Sequence, residues 1–320
     1  MKIIHVLWAL ENGGVETMLV NIVNEQVLCG NKVFIIIIND LVNKDLLRNI
    51  NPKVKIYQIG RSGGSKNIWS IFKINFISLV IYPQIVHFHF LDIAKYFIKY
   101  PKIKFISTVH TTAFPDTYFK KYKTIIAISK AVIIKIKQIK PELTPIICYN
   151  GVDFSRLKKK KRYRKIKNII CVGRLVNEIK NQEVIIKAAE ILQVDYGLFY
   201  DFHFIGTGSS ENYLKGLTKT MDLNNNVKFA GNMSNHWVLN NLSKFDLFVQ
   251  ASLVEGFGLT ALEAIGAKVP TLLSNVEGHL EISDNGRYAS LFNPNNPHDL
   301  ADKIAVLSKE FETLENKLSA

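Results

Sequence analysis

Short runs of β-branched and apolar residues recur along this chain with helix-length stretches between them, and that alternation restricts it to βαβ units and parallel sheets. In the first half, strands are expected near residues 2–8 (KIIHVLW), 32–38, 53–59, 84–90 (QIVHFHF), 103–109, 124–128 and 145–149. Runs as unbroken as VFIIII suit strands covered by helices on both faces. Between Arg156 and Lys167 the rhythm stops: in LKKKKRYRKIK eight of eleven residues are basic and none is acidic, which reads as a linker. It restarts at 168–173 (NIICVG), 201–206 (DFHFIG), 227–231 (VKFAG), 246–252 (DLFVQAS) and 270–274 (PTLLS), and a last helix is expected from about Asn296 to the end. The expected fold class is α/β, with two doubly wound Rossmann-like domains, residues 1–155 and 168–320, joined by the basic linker 156–167.

With 320 residues, 48% of them hydrophobic, the chain has material for two ordinary domains. Cys29, Cys148 and Cys171 are too few and too scattered for a disulfide framework or a four-ligand zinc site, and are expected as reduced core residues of a cytoplasmic protein. No secretory signal is apparent, and the longest apolar stretch, Ile68 to Tyr82, is broken by Lys73 and too short to cross a bilayer. The net charge of +14 is unevenly spread: residues 1–167 hold 29 Lys+Arg against 9 Asp+Glu, whereas 168–320 hold 12 against 18. A half that basic suits an anionic surface. Phospholipid fits better than nucleic acid, because zinc-finger spacing, a helix-turn-helix signature and aromatic RNA-binding motifs are all missing. KYFIKYPKIKF (95–105) and FKKYK (119–123) interleave rings with lysines, as a segment at the headgroup level would. Peripheral docking on the cytoplasmic face of an anionic membrane is the expectation.

Chemistry concentrates in ASLVEGFGLTALEAIGAKVP (251–270), a strand end, a glycine-containing turn and a helix start. Such a turn aims free N–H groups and the positive end of a helix dipole at a phosphate. Glu255 precedes the helix and Glu263 lies eight positions on, about two turns along at ~3.6 residues per turn and near the same side. Gly173-Arg174-Leu175 ends the first strand of the second half, with Lys180 where the next helix should begin, so two cations can converge at a strand's C-terminal edge. His87 and His89 alternate on one strand; without an identifiable third ligand they read as a partly buried pair rather than a metal site, and His5 is assigned no role.

In order and spacing these residues resemble the retaining glycosyltransferases of family four, whose GT-B architecture sets two Rossmann-like domains facing a cleft. The resemblance runs from Gly13-Gly14-Val15-Glu16 through YNGVD (149–153) and GRL with Lys180 to Glu255 and Glu263. It implies a donor in the interdomain cleft, with Arg174 and Lys180 on its diphosphate, Glu255 on the sugar hydroxyls, Glu263 on the ribose, and the backbone from Gly256 through Phe257, Gly258 and Leu259 to Thr260 at the phosphates. Gly13 and Gly14 would let backbone approach the donor phosphate, Gly173 belongs to the same loop as Arg174, Gly206 and Gly208 would lie near the base, and His110 at the donor sugar. Glu255, His110, Arg174 and Lys180 form the expected catalytic set. The chain departs from the family where Glu277-Gly278-His279-Leu280-Glu281 replaces the usual Gly-Gly-x-Pro-Glu turn, and where it ends without a further helix.

No Asp-x-Asp triplet occurs, so neither a metal nor another cofactor is expected, and leaving-group charge falls to Arg174, Lys180 and a helix N-terminus. The expected reaction is transfer from a nucleotide diphosphate sugar, UDP before GDP, to a saccharide or lipid-linked saccharide in cell-surface polysaccharide synthesis. Rival readings are a sugar epimerase or phosphorylase of the same architecture and a basic nucleic-acid-binding module. A dinucleotide oxidoreductase is disfavoured because neither first-strand loop carries Gly-x-Gly-x-x-Gly.

Overall fold

A computed structural model of the chain describes residues 1–319 except 12, 66, 115–118 and 164, with side chains described as far as 312. The chain divides into two compact units, Met1–Asn150 and Gly151–Ala320.

The first unit carries seven parallel strands: β1 (Lys2–Leu7), β2 (Lys32–Asn39), β3 (Lys55–Arg61), β4 (Ile85–Phe88), β5 (Lys104–Val109), β6 (Thr124–Ala127) and β7 (Ile146–Ile147). They lie in the order β3, β2, β1, β4, β5, β6, β7, so the direction of winding reverses between β1 and β4. Helices α1 (Gly14–Leu28), α2 (Lys44–Arg48), α3 (Trp69–Ile81) and α4 (Lys130–Ile139) complete it. Ile4, Val6, Phe88 and Phe105 are fully buried, and burying each side chain of this size stabilises by roughly 1.5–3 kcal/mol. Helix α3 is apolar on every side, yet only Ile74, Ile77 and Ile81 among its large residues are buried. Trp69, Phe72, Phe76 and Val80, spaced three and four apart, form one solvent-facing stripe.

The second unit repeats the plan with β8 (Asn168–Val172), β9 (Asp201–Ile205), β10 (Val227–Phe229), β11 (Leu247–Gln250), β12 (Thr271–Ser274) and β13 (Ser290–Phe292), ordered β10, β9, β8, β11, β12, β13. Its helices are α5 (Asn177–Lys180), α6 (Gln182–Val194), α7 (Glu211–Thr220), α8 (Asn235–Asn241), α9 (Leu259–Gly266), α10 (Glu277–Ile282) and α11 (Pro297–Ser319). Here the winding reverses between β8 and β11. Open sheets of this class bind ligands outside the C-terminal ends of the strands that flank such a reversal.

The basic run belongs to the second unit. Leu157 and Ile166 are buried in it, Lys160 pairs with Asp246 at 3.3 Å, and the other Asp246 oxygen accepts the Lys167 and Asn168 N–H groups. Counted by unit, 1–150 holds 20 Lys+Arg against 8 Asp+Glu and the rest holds 21 against 19. The charge division is therefore +12 against +2, milder than a count ending at Lys167 gives. Cys171 is buried as expected, whereas Cys29 and Cys148 are exposed, because one caps α1 and the other follows the short edge strand β7.

Candidate functional site

The loops after β8 and β11 meet at the reversal of the second sheet. Leu253 N–H donates to the Ile179 carbonyl at 2.8 Å, which ties the loop carrying Glu255 to α5. Lys180, the last residue of α5, extends to Glu255 with 2.5 Å between Nζ and Oε2, and both side chains are largely shielded. The same oxygen accepts from Gln250 Nε2 at 2.9 Å and Ser252 Oγ at 3.1 Å. Thr260 holds Gln250 in that orientation, its hydroxyl lying 3.0 Å from Gln250 Oε1 and 3.2 Å from the Val172 carbonyl. Burial alone would raise the Glu255 pKa, but Lys180 and the donors outweigh it and keep the carboxyl below its ordinary value.

His279 completes this network from α10. Its Nδ1 lies 3.0 Å from Ser274 Oγ and 3.1 Å from the Ser274 carbonyl, and its Nε2 stands 3.8 Å from Glu255 Oε2. Burial lowers its pKa to about 4, so the ring is neutral at physiological pH. Gly278 makes the approach possible, since a Cβ there would sit 2.4 Å from the Glu255 carbonyl oxygen. The departure from the family's turn sequence thus places a histidine against the site glutamate.

Glu263 lies inside α9 and is buried, not a solvated helix charge. Its Oε1 accepts from Asn235 Nδ2 at 3.1 Å, while its buried Oε2 has no partner among the described residues. Burial raises its pKa to about 7. Glu255 stands in the loop before α9 and Glu263 inside that helix, so no helical periodicity relates the two carboxylates. The first N–H groups of α9, from Leu259, have no intrahelical acceptor.

Arg174 is exposed beyond β8 and makes no ion pair among the described residues. Its carbonyl accepts from Gln182 Nε2, which fixes the loop begun at Gly173 rather than the guanidinium. Gly206 and Gly208 serve this loop too: at Gly206, with φ of 134°, a Cβ would fall 2.1 Å from the Gly173 carbonyl oxygen. Gly206 thus lets the β9 loop lie against the β8 loop.

In the first unit, Gly13 caps α1 and Gly14 opens it. His110 follows β5 and joins a row of rings: Gln26 Oε1 to His5 Nε2 at 2.8 Å, His5 Nδ1 to His89 Nε2 at 3.0 Å, and His89 Nδ1 to His110 Nε2 at 3.3 Å. His87, register partner of His5 across β1 and β4, bonds Thr108 Oγ1 at 2.7 Å. His5, to which the sequence assigns no role, is therefore the third member: nitrogens of His5, His87 and His89 lie within 4.8 Å of one another. Burial holds all four imidazoles neutral, His5 and His110 with pKa values lowered to about 4 and His87 and His89 well below the ordinary range.

The family model for glycosyl transferases group 1 matches residues 153–318, more than half of the chain and all of the Lys180–Glu255–Glu263 constellation. The chain belongs to this family. Among curated relatives, the O-antigen biosynthesis glycosyltransferase WclY of Escherichia coli is 26% identical over 343 aligned positions, covering 100% of this chain and 92% of WclY. CapJ of Staphylococcus aureus is 31% identical over 183 residues, 52% of this chain but only 46% of CapJ, so that match reaches less than half of the relative's length. The fold matches Anabaena HepE, solved with UDP and glucose, at a TM-score of 0.77 with 18% identity, over 99% of this chain and 95% of that one. TarM matches at the same TM-score with 14% identity, over 99% and 94%. Both likenesses establish the two-domain α/β architecture with parallel sheets of GT-B glycosyltransferases.

Within this group 1 member, Lys180 and Glu255 are joined directly and Glu263 is buried on α9 with Asn235 as its partner, whereas Lys180 and Arg174 are not joined. The residues that sequence reasoning missed are Gln250, Ser252, Ser274 and His279. Gln250 was hidden because it reads as one more residue of a buried strand.

Proposed function

We propose that this chain is a retaining, metal-independent glycosyltransferase that moves a sugar from a nucleotide diphosphate sugar, UDP-linked in first place, to a saccharide or lipid-linked saccharide in cell-surface polysaccharide synthesis. The observation that carries the reading is Glu263. A buried carboxylate oxygen without a donor is costly, and two ribose hydroxyls supply the donors it lacks. The diphosphate competes with Glu255 for the Lys180 ammonium, Arg174 approaches from solvent, and the α9 N-terminus adds its dipole. Freed from Lys180, Glu255 orients sugar hydroxyls, held by Gln250 and Ser252. Charge on the departing diphosphate is then met by fixed groups, and the acceptor hydroxyl attacks from the face the leaving group vacates, passing its proton to the departing diphosphate oxygen. The UDP and glucose in HepE and the names of the O-antigen relatives motivate the donor and pathway class. The test is transfer from a panel of UDP- and GDP-sugars with and without EDTA: UDP-sugar turnover that survives chelation is expected, and turnover lost to EDTA and restored by manganese contradicts metal independence.

The same reading places the protein at the cytoplasmic face of an anionic membrane, and the α3 stripe supports it. Trp69, Phe72, Phe76 and Val80 are 73%, 64%, 67% and 66% exposed, an apolar surface unusual on a monomer. Ile98 N–H bonds Asn75 Oδ1 and the Tyr82 hydroxyl bonds the Pro101 carbonyl, so the segment with exposed Lys99, Lys102 and Lys104 packs beside α3. Rings that sink below the headgroups, with lysines against phosphates, fit this surface. Among the described residues no helix is long and apolar enough to cross a bilayer.

A further inference from the structure

The row of imidazoles from Gln26 to His110 has a direction. The Gln26 Oε1 atom can only accept, so His5 Nε2, 2.8 Å away, carries the proton. A neutral imidazole has one N–H, which leaves His5 Nδ1 as an acceptor and requires His89 Nε2, 3.0 Å from it, to donate. The same step repeats: His89 Nδ1 accepts, and His110 Nε2 donates across 3.3 Å. At the end of the row His110 is left with its Nδ1 lone pair, and nothing among the described residues pairs with it. His5 and His89 are buried and His110 is partly buried. We infer that Gln26, His5 and His89 are positioning residues, which fix His110 in the tautomer whose Nδ1 accepts a hydrogen bond from a hydroxyl of a bound sugar. The role of His110 at a sugar rests on the proposed transferase reading; the tautomer does not.

Burial supports the chain, because it keeps each ring neutral and forbids the doubly protonated form that would break the alternation. His87 stands outside the row, its Nε2 bonded to Thr108 and its ring stacked on His89 with centroids 4.7 Å apart. A metal held by His5, His87 and His89 is a distinct arrangement: it would need a lone pair from each ring, and in the row the lone pairs of His5 and His89, both on Nδ1, already accept hydrogen bonds.

The tautomers are read directly in the full-length protein labelled with 15N at histidine, where long-range proton–nitrogen spectra separate N–H from lone-pair nitrogens. The expected spectrum of wild type shows Nε2–H on His5, His89 and His110. Gln26→Met, close in shape and unable to accept, removes the anchor and is expected to bring the opposite tautomer into view at His110, two rings away; Gln26→Glu, which can only accept, is expected to restore the wild-type pattern. In transfer assays Gln26→Met is expected to lower kcat while KM for the donor stays within twofold, and Gln26→Glu to recover kcat. A wild-type spectrum with Nδ1–H on His110, a His110 signal that ignores Gln26→Met, or one equivalent of zinc or another transition metal in the purified protein would each overturn the inference. Should His110→Ala transfer sugar at the wild-type rate while the tautomers are as expected, the sugar-binding role of His110 fails and the directional chain stands.

Discussion

Glu255 and Glu263 are eight positions apart in sequence, yet they live in opposite electrostatic surroundings. One carboxylate has a cation and two neutral donors on a single oxygen, while the other has one amide. Groups pushed apart in this way are a mark of a working site. The folded pKa of Glu263, about 7, lies above the ordinary 4.5, so the folded chain holds a proton that the unfolded chain releases in between. Its contribution to stability therefore declines as pH rises from about 4.5 through about 7 and stays unfavourable above. Glu263→Gln is expected to melt at a higher temperature than wild type at pH 8 and to lose most of that advantage at pH 5, measured by paired thermal scans. Glu255 has the opposite sign: its folded pKa is depressed, so its contribution is present above pH 4.5 and lost on acidification. Seen from the sequence, Glu255 and Lys180 face an open cleft, and replacing either would spare the fold. The ion pair they form is mostly shielded, and removing one partner of such a pair leaves the other charge stranded. Lys180→Ala is expected to lower the melting temperature as well as abolish transfer, and Glu255→Gln to cost about 100-fold to 1000-fold in turnover, read as kcat with a defined donor. An unchanged melting temperature for Lys180→Ala would contradict the geometry drawn here.

At the level of elements, the strands were readable because parallel strands covered on both faces are unbroken apolar runs, and among the described residues twelve of thirteen strands fall where those runs lie. The exception is β13, three residues long and flanked by turn-forming residues, with too little pattern to mark it. Order and spacing also singled out Lys180 and Glu255, which the structure pairs, and Glu263, which it buries. What stayed hidden depended on pairing between distant segments: His5 meets His87 only because β1 lies beside β4, and His279 meets Glu255 only because Gly278 lets α10 close on the β11 loop. Gly278→Ala is accordingly expected to destabilise the chain and impair transfer, since the Glu255 backbone must move to admit a methyl group. The exposed side of α3 was invisible for another reason, because a helix apolar all round gives no periodic signal of which side stays in water. Replacing Trp69, Phe72 and Phe76 together by serine is expected to leave thermal stability nearly unchanged and to abolish co-sedimentation with anionic vesicles. Undiminished vesicle binding would remove α3 from the membrane surface.

For the whole molecule, the structural boundary after Asn150 changes what charge can mean. The basic run is anchored by Leu157, Ile166 and Asp246 in the second unit, so the first unit keeps +12, and the membrane docking proposed for it rests on α3 and the lysines beside it as much as on net charge. Each unit is a doubly wound sheet with its chemistry at the reversal of strand order: imidazoles at β1 and β4, carboxylates and lysine at β8 and β11. The central claim is that the second reversal holds the donor nucleotide, and calorimetric titration of UDP into the full chain, wild type beside Glu263→Gln, tests it most directly. Saturable binding by wild type is expected, with Glu263→Gln weakened at least tenfold, or about 1.4 kcal/mol, while remaining folded. Equal UDP affinity in the two proteins, or no nucleotide binding by wild type, would contradict it.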